Sequence, residues 1–133
     1  MRLTEVRQGI ADALAAVPNL RVYSYVADAP QPPCAIVGYP DEWLYDVRFT
    51  EDTADCDIPV TVYVGAASDR ASQSQLDAFT DSTGTTSLKA AIEADRTLGG
   101  SVGTCRVARA AQFGKYGEPS LWIGFTLYVK VYG

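Results

Sequence analysis

Asp55 and Asp57 stand two residues apart in the run Ala54-Asp55-Cys56-Asp57. On extended backbone alternate side chains leave the same face, so the pair shares one side of the chain. With Asp52 or Glu51 beside them, these carboxylates form a candidate set of oxygen ligands for a hard divalent cation. The competing reading is a solvated hairpin tip, because short acidic runs are mostly surface. Cys34, Cys56 and Cys105 are the candidate nucleophiles. Their odd number and wide spacing make no disulfide framework. Each lies in or beside an apolar run, which reads as a buried free thiol. Histidine is absent, which removes the commonest general base and the commonest zinc ligand. A serine nucleophile would then need a lysine or carboxylate base, and no motif places one. Gly99-Gly100-Ser101-Val102-Gly103 has the glycines of a phosphate loop without its lysine or following helix, and reads as a turn. No catalytic or cofactor-binding residue is assigned, and the expectation is a structural subunit rather than an enzyme.

Association is the other chemistry these residues can support. Trp122, Tyr128 and Tyr132 recur at even spacing in the last apolar run, and Trp43 and Tyr45 sit in another. Tryptophan and tyrosine are enriched in protein interfaces. Residues 41–57 hold Asp41, Glu42, Asp46, Glu51, Asp52, Asp55 and Asp57 against Arg48 alone, whereas residues 96–133 hold Arg96, Arg106, Arg109, Lys115 and Lys130 against Glu118 alone. Placed on opposite flanks, such patches suit a heterologous contact that closes into a ring. The interface candidates are Asp52, Asp55, Asp57, Arg106, Arg109, Trp122, Tyr128 and Tyr132.

The elements that must position these residues follow from periodicity. Val6, Ile10, Ala13, Leu14 and Val17 repeat at helical spacing over 4–17, with Thr4 as N-cap and Pro18-Asn19 as the stop. Strands are expected at Leu20–Val26, Cys34–Tyr39, Trp43–Thr50 and Ile58–Val64, with a proline loop at 28–33 and a turn or hairpin tip at Glu51–Asp57. The period changes after Gly65. A helix from Ser68 or Asp69 to Ser82 turns Leu76 and Phe79 inward, with Gly84 as its C-terminal cap, and a second covers Ser87–Asp95. Strands at Thr104–Gln112 and Leu121–Tyr132 follow, joined through Gly114, Gly117 and Pro119. In the last, Leu121, Ile123, Phe125, Leu127, Val129 and Val131 take one side, and Trp122, Thr126, Tyr128, Lys130 and Tyr132 the other. The order αββββααββ and its short links predict an α+β fold. It has a mixed, mostly antiparallel sheet of about six strands, on which the N-terminal helix and two central helices pack.

With 133 residues, 47% hydrophobic and 20% charged, the chain suits one globular domain spanning 1–133. No apolar run approaches the ~18 residues of a membrane span. Charged and polar residues interrupt the N-terminal run, unlike a signal peptide. A net charge of −5 disfavours bulk attraction to nucleic acid.

The order of these pieces resembles the tail terminator proteins of long-tailed bacteriophages, particularly the version common in phages of actinobacteria. The resemblance covers nearly the whole chain. It lies in the opening amphipathic helix, RVYSYVADAPQPPCAIVGYP, IPVTVYVGAASDRASQSQLDAF, SLKAAIEADRTLGG and LWIGFTLYVKVYG, with the run Ser87–Gly100 the most specific. It implies a small α/β fold forming a ring, typically a hexamer, that caps the tail tube, stops its growth and presents a surface to the head-tail connector or stopper. It also implies assembly in the host cytoplasm and residence in the virion tail, with genomic DNA passing through the ring without specific binding. No cofactor and no catalytic residue carry over. In some relatives a divalent cation promotes ring formation, and the acidic 51–57 segment is the place for one here. Alternatives are another neck ring protein or a tube subunit and, from a different class, a small-ligand-binding α+β module with a closed apolar pocket.

Overall fold

The computed structural model describes residues 1–26, 31–46, 53–66, 69–116 and 122–133. Its elements run α1 (Leu3–Leu14), β1 (Arg21–Tyr23), β2 (Cys34–Val37), β3 (Leu44–Tyr45), β4 (Ala54–Ala66), α2 (Arg70–Phe79), α3 (Leu88–Glu93), β5 (Thr104–Tyr116) and β6 (Trp122–Tyr132). The six-stranded sheet has the order β1-β2-β4-β6-β5, with β3 also paired to β4. Only the β1–β2 pair is parallel among the described strands. This is the mixed, mostly antiparallel α+β architecture expected from the sequence.

One face of the sheet is covered. Cys56, Ile58, Val60, Val62 and Val64 of β4 join Phe125, Leu127, Val129 and Val131 of β6, and Cys105 and Val107 of β5, in a single core. The helices close it with Val6, Ile10 and Leu14 from α1, Phe79 from α2, and Leu88 and Ile92 from α3. These spacings are the helical periods read from the sequence, and burial of the stripes drives the packing. Gly9 lets α1 approach closely, since a Cβ there would lie 2.9 Å from the Leu98 Cβ. Asp69 caps α2 by accepting from the Ala71 N–H, and Ser87 caps α3 by accepting from the Ala90 N–H.

Several boundaries differ from expectation. α1 starts at Leu3, so Thr4 lies inside the helix, and Arg2 at the cap makes no side-chain capping bond. α2 ends at Phe79 with Thr80 at its cap, leaving Gly84 in the following turn at φ +104°. β1 and β2 are shorter than their apolar runs; β3 covers Leu44–Tyr45, and residues 47–50 of its expected run lie outside the described residues. Two strands are longer. β5 continues through Gly114 to Tyr116, with register shifts between Val107 and Arg109 and between Ala111 and Gly114. The bulges absorb the turn-like residues that had suggested an end, Gln112 taking φ +58°. β4 begins at Ala54, which moves Asp55 and Asp57 from an expected hairpin tip onto a strand. The reason is the alternation itself, for Ala54, Cys56 and Ile58 are all buried, and the aspartates occupy the intervening outward positions.

Candidate functional site

The outward face of the β4–β6–β5 ladder carries nearly every residue singled out from the sequence. Register places Asp55 beside Tyr132 and Thr104, Asp57 beside Lys130 and Arg106, and Pro59 beside Tyr128 and Arg109. Two aspartates thus stand at one end of the β4 column, with Lys130 beside them on β6 and Arg106 and Arg109 on β5. Asp55 and Asp57 therefore share the outer face with Lys130, Arg106 and Arg109, the acidic pair toward β3 and the arginines toward β5. Between them runs a groove of about 430 Å³, lined by Asp41, Glu42 and Leu44 on one side and Arg109 and Lys130 on the other, with Pro59 and Tyr128 between.

The aromatic residues are held rather than loose. The Arg109 guanidinium lies 3.9 Å from the Tyr128 ring centroid, a cation–π contact. The Gln112 Nε2 donates to the Tyr128 hydroxyl at 3.2 Å. Trp122 packs on Tyr63 at 5.3 Å between ring centroids, and Tyr63 meets Tyr116 edge-on at 5.4 Å. Trp122, Tyr128 and Tyr132 remain half-buried, and no helix covers this face among the described residues. Trp43, by contrast, packs partly buried against the core, while Tyr45 is 76% exposed. Asp52 lies outside the described residues.

Glu51, the other ligand considered beside the aspartates, lies outside the described residues as well. Among the described residues no group of three His, Cys, Asp or Glu side chains is placed to hold an ion. On a pleated strand, residues two apart are ~6.6 Å apart along the chain, and the cysteine between them points into the core. Asp55 instead accepts from the Gly133 N–H at 3.4 Å. The thiols are unsuited to nucleophilic attack, which requires thiolate. Burial pushes Cys56 up to about 11, helped by the Asp57 and Asp55 charges. Burial also raises Cys34 and Cys105. All three are free and buried, as their apolar surroundings suggested.

Two features were not legible in sequence. Arg7 is buried on α1, donating from Nη2 to the Val37 carbonyl at 2.8 Å and stacking 4.0 Å from the Tyr39 ring centroid. It fastens α1 to the end of β2. Glu93 caps the free edge of β5 by accepting from the Val107 N–H at 2.9 Å, while also holding Lys89 and Arg96. Burial raises its carboxyl, but the Lys89 and Val107 hydrogen bonds and the Lys89 and Arg96 charges outweigh that and hold it below the ordinary glutamate value. Edge protection of this kind guards against unwanted strand addition. Neither residue lies in a local motif, and only their mixed charge and apolar neighbours hinted at burial.

Compared with protein-family models and with curated proteins, the chain matches none.

Proposed function

We propose that this chain is a tail terminator subunit, a structural protein that assembles into a ring, hexameric by resemblance, on the head-proximal end of a bacteriophage tail tube. The observation that carries the reading is a sheet face, covered by no helix among the described residues, on which Trp122, Tyr128 and Tyr132 stand beside Asp55, Asp57, Lys130, Arg106 and Arg109. Such a surface suits association, because tryptophan and tyrosine are enriched in protein interfaces. The groove is open and charged, unlike the closed apolar pocket of a small-ligand module.

Ring contacts in this reading run side to side, between the basic β5 edge (Arg106, Arg109, Lys115) and the acidic β3 side (Asp41, Glu42, Asp46). Because Glu93 and two bulges blunt the β5 backbone edge, that contact is made by side chains rather than by strand addition. The net charge of −5 favours passage of DNA without adhesion. Its partners are further copies of itself, the tube protein and the head-tail connector or stopper, in the virion tail. Deleting the gene from its phage is expected to give overlong tails. Tails of normal length that fail to join heads would instead assign the chain to the stopper.

A further inference from the structure

We infer that the outer sheet face is self-complementary and pairs two copies of this chain face to face about a two-fold axis running along the strands between β4 and β6. The register carries the inference. A two-fold axis in that position lays each β6 residue of one copy over the β4 residue that it neighbours in its own chain. Lys130 of each copy then covers Asp57 of the other, Tyr128 covers Pro59, and Thr126 covers Thr61. One strand further out, the column of Arg106 and Arg109 falls on the β3 side, where Asp41 and Glu42 wall the groove. Charges of opposite sign therefore meet in both columns, and no like charges are opposed along the axis.

Three further observations fit a second copy as the occupant. Asp57 and Lys130 are cross-strand neighbours, yet neither takes part in an ion pair among the described residues, so their charges remain to be met from outside. The face is also already ordered. Arg109 stacks on Tyr128 and Gln112 braces its hydroxyl, so less side-chain freedom is lost on docking. Finally, the area is that of a small interface. The eleven β4–β6 rows, with the six β2 and β3 rows on one flank facing β5 of the other copy, at ~3.3 Å by ~4.8 Å per residue, give roughly 540 Å² per partner, against about 600–1,000 Å² in stable interfaces. Packed sheets cross at about 30°, so the columns match near the crossing point, which the charges set at the Asp57–Lys130 and Pro59–Tyr128 rows. This pairing does not rest on the terminator reading. An isologous contact closes at two copies.

Sedimentation equilibrium on the whole chain tests it, with circular dichroism confirming the fold of each variant. The wild-type chain is expected to pass from one copy to two as concentration rises. Asp57→Lys and Lys130→Glu should each weaken the pair at least tenfold, and the double variant should recover most of the loss, because its reversed charges again face each other. Tyr128→Ala should weaken it without any change of charge. A folded double variant no tighter than either single one overturns the inference, as does wild-type mass staying at one copy to millimolar concentration. A larger closed assembly that both single substitutions leave intact also overturns it, while keeping the ring.

Discussion

Along β6, Phe125, Leu127, Val129 and Val131 are buried against the helices, while the interleaved Trp122, Tyr128, Lys130 and Tyr132 stay half-exposed on the other face. One strand thus serves two surfaces. The inner residues are aliphatic or phenyl, with no polar atom to satisfy in a dry core. The outer ones each combine an apolar body with a polar end, which suits a surface that is wet in the free chain and covered in an assembly. The difference separates stability from association: inner substitutions should unfold the chain, and outer ones should leave it folded and alter what it binds.

Phe125→Ala should give the largest effect, about 3–5 kcal/mol of lost stability in denaturant melts, because a fully buried ring leaves a cavity. A loss below about 1 kcal/mol would break the contrast. Gly124→Ala is the exception on the outer face and should cost about 1–3 kcal/mol although it adds only a methyl, since a Cβ there would collide with the Val62 carbonyl oxygen. Glu93→Gln, at a side chain 12% exposed, should cost about 1–2 kcal/mol through weakened charge-assisted hydrogen bonds.

Glu93 also gives a pH dependence. Its carboxyl is held low when folded, so its contribution is complete above the unfolded glutamate value and is lost as pH falls through the depressed folded value. The stability difference between wild type and Glu93→Gln should therefore shrink on acidification below the ordinary glutamate range. A constant difference there would show that the ion pairs do not hold the charge. Smallest of all, Tyr128→Ala should change monomer stability by only about 1 kcal/mol, through the lost Arg109 contact, while weakening association. If it melted the chain as Phe125→Ala does, the two faces would not differ in role.

How far the sequence reveals this division varies along the chain. The α1 stripe and the β6 alternation are local periodicities, and they identify the core side without any knowledge of the fold. The start of β4 was hidden because acidic residues between buried small ones look like a turn when charge is weighed above alternation. The run of β5 through Gly114 was hidden because bulges tolerate residues that usually end strands. The roles of Arg7 and Glu93 depend on partners 30 and 14 residues away, and no local pattern encodes them. The sequence yields the candidate surface as a set of residues but not as an arrangement. That Asp57, Lys130 and Arg106 form one row is a matter of strand order, since β6 lies between β4 and β5.

The most direct test of a surface built for association is the mass of the wild-type chain in solution across concentration, at low and high salt. The expected result is a rise from one copy to two, with the midpoint moving to higher concentration as salt screens the facing charges. A mass of one copy throughout, to millimolar concentration and in low salt, would contradict it.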